Sequence, residues 1–199
     1  MTLKSALITG GNGNLGHLLA DHFENIGIHV ISYDIAKPQR PVASRNIIIG
    51  DIRDSEKLRS LFEKERPDAV VHLAGLLSGS SEADPIAAWE INATASVNLM
   101  QTAKQYDVGP FVFSSTVASY GPDVPAELPA ETPQWPQNVY GATKIATERM
   151  GHWMKTKRDF DFRCLRFPMV ISPFAPPGAV TAYPGHACLA AKSGKPYSF

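Results

Sequence analysis

The 199-residue sequence contains only two cysteines, Cys164 and Cys188, and neither stands in a CxxC or beside a ligand-spaced histidine pair. The spacing gives no basis for a disulfide framework or a zinc site, so no metal ligand is assigned and two buried thiols are expected. An excess of charge is also lacking, since 19 basic and 19 acidic residues give a net charge of 0. No positive field exists to gather nucleic-acid phosphates or anionic lipid. The longest nearly apolar stretch, 69–77, is interrupted by His72 and falls well below the ~18 residues of a membrane span. Internal repeats and low-complexity runs are missing, and Met1 to Ser5 lead straight into a strand pattern without a secretory leader. The expectation is a cytoplasmic globular protein with neither a nucleic-acid nor a membrane partner.

What is present alternates. Short β-branched apolar runs at 6–9, 28–32, 46–49, 69–73, 111–113 and 162–167 are separated by segments of helical period at about 14–26, 54–65, 85–106 and 138–157. Asp54 suits the N-cap of the second helix, and Pro85 the first position of the third. This is the pattern of βαβ units, so the predicted fold class is α/β. A Rossmann doubly wound parallel sheet of six or seven strands, with helices on both faces, would place ligands beyond the carboxyl ends of the strands. Residues 1–167 would form this domain. The sixteen prolines cluster at 122–136 and 168–184, and 168–199 reads as irregular, the start of a smaller substrate region.

The first strand ends in Thr9-Gly10-Gly11-Asn12-Gly13-Asn14-Leu15-Gly16. It reads as GxGxxG through Gly11, Gly13 and Gly16, and as GxxGxxG through Gly10, Gly13 and Gly16. Either register lets backbone N–H groups, including those of Asn14 and Leu15, approach a pyrophosphate. Asp34 lies eighteen residues beyond Gly16, near the ~20-residue spacing of a carboxylate that accepts from the adenosine ribose hydroxyls. Because that carboxylate repels a 2′-phosphate, the predicted cofactor is NAD, with Lys37 and Arg40 just downstream. Asp51 and Ile52 follow the third strand, where they would meet the adenine. Leu73, Ala74 and Gly75 follow the fourth, where small residues leave room for the cofactor's middle.

Tyr140 and Lys144 stand four residues apart, on one face of a helix. A tyrosine titrates near ~10, and ionising it near neutrality takes about 4 kcal/mol of differential stabilisation. An adjacent ammonium and a positively charged nicotinamide can supply it, making Tyr140 a general base toward a substrate hydroxyl. Thr116, at the end of the fifth strand, is the candidate for orienting that hydroxyl, with Ser114 and Ser115 as alternatives.

TGGNGNLG at 9–16, YD at 33–34, GDIRD at 50–54, HLAG at 72–75, SSTVASYG at 114–121 and YGATK at 140–144 together resemble the extended short-chain dehydrogenase/reductases, the NAD-dependent epimerase/dehydratase group, over residues 3–199. The resemblance implies an NAD-dependent oxidoreductase with Thr116, Tyr140 and Lys144 as catalytic residues. Lys144 would also hold the nicotinamide ribose, Ser114 would lie at the cofactor, and Asn92 would support the site from its helix. Leu76 to Ser78 and the segment from Leu165 to Tyr183 look like the short-chain L-threonine 3-dehydrogenase branch, with hydroxy-acid dehydrogenases also open. That likeness makes Ser78, Thr181 and Tyr183 substrate contacts beside Thr116 and Tyr140. A nucleotide-sugar 4-epimerase acting on UDP-glucose or UDP-galactose is the alternative, and an NAD-binding sensor the second. Relatives pair the helices at 85–106 and 138–157 in a homodimer, to which Trp89, Met100, Trp153 and Met154 would contribute unless they are core. His17, His22, His152 and His186 read as surface or capping residues.

Overall fold

The computed structural model describes residues 3–39, 42, 45–172 and 183–198. Six strands, β1 (Ser5–Thr9), β2 (His29–Asp34), β3 (Asn46–Ile49), β4 (Ala69–His72), β5 (Phe111–Thr116) and β6 (Phe162–Phe167), form one parallel sheet in the order β3-β2-β1-β4-β5-β6. The order reverses between β1 and β4. Right-handed crossovers on either side of that point send helices to opposite faces and open a crevice above the strand ends.

The helices are α1 (Asn14–Asn25), α2 (Ser55–Glu65), α3 (Ser78–Ala83), α4 (Pro85–Ala88), α5 (Ser96–Gln105), α6 (Val139–Arg158) and α7 (Tyr183–Lys192). One face of the sheet buries Leu7, Ile31, Val70, Phe111 and Phe113 against residues of α2, α5 and α6, including Phe62, Leu99 and Met154. The other buries Ile8, Val30 and Val71 against Ala20, Leu19 and Phe23 of α1. Strands apolar on both sides are what a parallel sheet between two helical layers requires. Caps set the helix ends: Asp54 accepts from Lys57 N at 3.0 Å, Asp84 from Ala87 N at 3.0 Å and Asn138 from Gly141 N at 2.7 Å.

Several expectations change. The run 85–106 is not one regular helix, because Trp89–Ala95 between α4 and α5 widens into a π-helical segment. Hydroxyls take up carbonyls there: Ser96 and Thr147 both donate to Asn92 O, at 2.7 and 2.9 Å. Helix α3 was not anticipated, nor was α7 within the region read as irregular; Pro184 falls in the first turn of α7, where a missing N–H costs nothing. β5 runs on to Thr116 because Ser115 and Thr116 stay in register with Arg166 and Phe167 of β6. Cys164 is only half-buried and Cys188 is exposed, since β6 is an edge strand and α7 presents its cysteine outward. His17 is buried beneath Arg45, whose guanidinium pairs with Asp21 and Glu24 at 2.7 and 2.8 Å. Met100 and Met154 belong to the core, whereas Trp89 and Trp153 are half-exposed. No helix among the described residues is long and apolar enough to cross a membrane.

Candidate active site

The glycine turn is held by close approaches that exclude side chains. Gly10 has φ +69° and donates to Tyr33 O at 2.8 Å, and a Cβ on it would lie 2.7 Å from Ala74 N. A Cβ on Gly16 would run into the Gly10 carbonyl, so α1 packs directly on the turn. Gly13 caps α1 with no side-chain hydrogen bond. The first-turn N–H groups of Asn14, Leu15 and Gly16 are therefore available to an anion. Asn14 Oδ1 is buried with no hydrogen-bond partner among the described residues.

Asp34 ends β2 beside this turn, its carboxylate accepting from Asn12 N at 3.0 Å and Ala36 N at 2.9 Å. Asn12 went unnoticed in the sequence. Its side chain accepts from Ser32 Oγ at 2.8 Å and donates to Ala36 O at 2.7 Å, latching the turn to β2; the only signal was its place inside the glycine pattern. Asp51 is gripped by Arg53 through contacts of 2.6 to 3.1 Å, which hold its carboxyl below the usual range. Ile52 beside it is buried. Tyr33 donates to Asp51 O at 2.8 Å, and burial pushes its phenol up to about 12. Lys37 lies in the loop after β2; Arg40 and Thr181 lie outside the described residues.

Leu73, Ala74 and Gly75 continue β4 over the crevice, with Leu73 N donating to Thr9 O at 3.0 Å. Asn92 binds the next residue at both ends of its amide: it accepts from Leu76 N at 2.8 Å and donates to Leu76 O at 3.0 Å and to Thr143 Oγ1 at 3.2 Å. Its side chain is spent on fastening this loop to α6. Ser78 opens α3 just beyond, and Tyr183 opens α7.

Lys144 is buried, donating to Ser114 O at 2.9 Å with its ammonium 4.7 Å from the Phe113 ring centroid and 5.6 Å from that of Tyr140. Burial lowers it to about 8, against an upward pull from Glu148. The Tyr140 phenol is pushed up by burial. Thr116 is buried at the end of β5, where its Oγ1 accepts from Ala118 N at 3.1 Å and its carbonyl accepts from Ser119 Oγ at 2.7 Å. Ser114 Oγ turns away to His72 O at 2.9 Å. Ser115 donates to Glu148, a buried carboxylate that also accepts from Gln134 and from Arg166, the latter at 2.8 Å. Burial raises Glu148, but these donors, Arg166 foremost, bring it below its usual range. Arg166 reaches on to Tyr120 OH at 2.6 Å and Ala130 O at 3.0 Å. This network was not read from sequence, because its members come from four separate segments.

His72 lies between Thr9 Oγ1, 2.6 Å from Nδ1, and Ser96 Oγ, 2.7 Å from Nε2. Since Ser96 donates to Asn92 O, it accepts from Nε2–H, and Nδ1 accepts from Thr9. Burial, and secondarily the charge of Lys144, lowers His72 to about 3, so the ring is neutral. The structure thus gathers the glycine turn, Asp34, the loop after β4, Asn92, Thr116, Tyr140 and Lys144 around one sheet edge.

The chain resembles known proteins both in sequence and in fold. The chain is 32% identical over 184 residues to an uncharacterized epimerase/dehydratase of Staphylococcus saprophyticus, covering 90% of this chain and 57% of that protein. It is 34% identical over 164 residues to a UDP-glucose 4-epimerase of Halalkalibacterium halodurans, covering 81% and 49%. Its fold superposes on L-threonine dehydrogenase from Clostridium difficile with a TM-score of 0.92 at 31% identity, over 100% of this chain and 64% of that one. On the UDP-glucose 4-epimerase from Brucella ovis in complex with NAD, the TM-score is 0.77 at 28% identity, over 82% and 51%. The chain therefore spans roughly half to two thirds of the length of these relatives. The sequence profile of the NAD dependent epimerase/dehydratase family matches residues 6–198, and the chain belongs to that family.

Proposed function

We propose that this chain is the NAD-binding and catalytic portion of an oxidoreductase that moves hydride between a secondary alcohol carbon and NAD, with a substrate like that of an L-threonine 3-dehydrogenase. The observation that supports the reading is the buried Lys144 ammonium beside the Tyr140 ring, 5.6 Å from its centroid, below the end of β5 where Thr116 lies. The likeness to the C. difficile L-threonine dehydrogenase along the whole chain favours the amino-acid alcohol. The H. halodurans relative keeps a nucleotide-sugar 4-epimerase as the second reading.

The cofactor fits the residues present. The uncapped first turn of α1 would take the pyrophosphate, and the fixed Asp34 carboxylate the adenosine ribose. NAD, when bound, supplies the hydride acceptor. Tyr140 takes the proton from the substrate hydroxyl, Thr116 orients that hydroxyl, and Lys144 is the positive charge against which a phenolate forms. Ser78 and Tyr183 stand at the starts of α3 and α7 as proposed substrate contacts.

The helices that would meet in a dimer leave Ile86, Trp89, Met150 and Trp153 exposed by 72, 50, 37 and 46%, a surface suited to a second copy of the chain. Sedimentation equilibrium is expected to show dimers for the wild type and monomers for Trp153→Glu; a monomeric wild type refutes the pairing.

The reaction is tested by following NADH absorbance with NAD⁺ and a panel of L-threonine, related hydroxy acids and UDP-sugars, with sugar products checked for epimerisation. Tyr140→Phe is expected to abolish turnover while NAD affinity stays within a few-fold, and a fully active variant removes the phenol from the mechanism. In calorimetric titration the wild type is expected to prefer NAD over NADP and Asp34→Ala to lose most of that preference; an NADP-preferring wild type contradicts the role of Asp34.

Lys144 has a stability signature of its own. With a folded value of about 8 against the ordinary 10.5, the unfolded chain binds more protons between these pH values, so stability rises with pH across that window. Ionised Lys144 opposes folding below pH 8 by about 3 kcal/mol. Denaturant unfolding should show the wild type gaining on Lys144→Met by roughly this amount between pH 7 and pH 10.5. Parallel pH profiles would mean that the ammonium is not desolvated.

A further inference from the structure

Helix α6 and the edge strand β6 bring together three side chains that the proposed reaction does not use as reactants. Glu148 and His152 are one turn apart on α6, hence on one face. On β6, alternate residues Phe162, Cys164 and Arg166 turn toward that helix. The outer two fix the register: His152 meets the Phe162 ring edge-on at 5.6 Å between centroids, and Arg166 pairs with Glu148 at 2.8 Å. Cys164 lies between these contacts. One ligand atom from each of Glu148, His152 and Cys164 falls within 4.8 Å of the other two, with Glu148 buried, Cys164 half-buried and His152 exposed.

We propose that Glu148, His152 and Cys164 form a binding site for a thiophilic divalent cation of the Zn²⁺ class, joining α6 to β6. The donor set of one thiol, one imidazole and one carboxylate oxygen is the mixed soft and borderline set that Zn²⁺ takes in tetrahedral geometry. Bond lengths of about 2.0–2.3 Å bring such donors within ~3.5 Å of one another, so on binding the exposed His152 and the half-buried Cys164 would both turn toward the Glu148 carboxylate. The exposed side leaves the fourth position to water.

Arg166 is the opposing charge, and it has anchors other than Glu148: Tyr120 OH at 2.6 Å, Ala130 O at 3.0 Å and Gln134 Oε1 at 3.1 Å. It stays in place while Glu148 gives a lone pair to the ion at the expense of its long contact with Gln134, 3.2 Å. On binding, the Cys164 S–H gives its proton to solvent and the thiolate sulfur bonds the cation, with no change of oxidation state. The charges of carboxylate, thiolate, guanidinium and a divalent ion then sum to +1 at a site open to water on one side. Sequence spacing conceals the site, because the helical pair offers only one histidine and the thiol comes from the following strand.

Co²⁺ titration of the tag-free 199-residue protein tests this without reference to catalysis. The wild type and Cys188→Ser are expected to take up one Co²⁺ per chain with a thiolate-to-cobalt charge-transfer band and tetrahedral visible bands, displaced by Zn²⁺. Cys164→Ser should lose the charge-transfer band, and His152→Ala should bind at least about tenfold more weakly. These exposed or near-isosteric changes leave the buried Glu148 in place, and circular dichroism checks that each variant is folded. Absence of the band in the wild type, its survival in Cys164→Ser, or its loss in Cys188→Ser overturns the proposal.

Discussion

The burial of one ammonium group, that of Lys144, constrains much of the rest. A desolvated lysine is tolerated only where its donors are met and its charge is balanced nearby. Here Ser114 O and the Phe113 face receive it, and Glu148, one helical turn further on, adds an attractive charge. Glu148 would itself be an uncompensated buried anion without Arg166, Ser115 and Gln134. Arg166 in turn holds Tyr120 and Ala130 of the loop that leads into α6. The ends of β5 and β6, that loop and α6 are thus set relative to one another by satisfying a short chain of buried charges, and Tyr140 and Thr116 inherit their positions from it.

A second, uncharged chain of hydrogen bonds ties the opposite wall. Thr9, His72, Ser96 and Asn92 O run from the end of β1 to the π-helical segment, and Thr147 of α6 joins them at the same carbonyl. A neutral His72 suits this role, because it donates at one nitrogen and accepts at the other, and a second positive charge beside Lys144 is avoided. The Asn92 side chain completes the wall by pairing with the backbone of Leu76. The glycine turn and the proposed catalytic face therefore share one polar framework, anchored on β1 and β4 where the strand order reverses.

Much of the fold was legible because it rests on local periodicity. The six apolar runs, the cap at Asp54, Pro85 in the first turn of its helix and the glycine turn each carry a signal within a few residues, and the parallel sheet follows from their alternation. Failures came where a tertiary contact overrides local preference. The widening at Trp89–Ala95 depends on hydroxyls of Ser96 and Thr147 that reach Asn92 O, one of them from a helix 55 residues away. Helix α7 was hidden by the prolines around it. Burial pushes the Tyr140 phenol up, a property of the packed core around it that residue spacing does not encode.

The sequence by itself determined the strand–helix alternation, the dinucleotide-type turn, the YxxxK pair and the family, since each is encoded in contiguous residues whose spacing has a direct geometric meaning. Only the tertiary structure decided which polar groups meet: Asn12 with Asp34, Asn92 with Leu76, and Glu148 with Ser115 and Arg166, with Cys164 and His152 brought near Glu148 across α6 and β6. These pairings depend on strand register and helix packing, and both are set by how the two apolar faces of the sheet are covered, a property of the whole core rather than of any one segment.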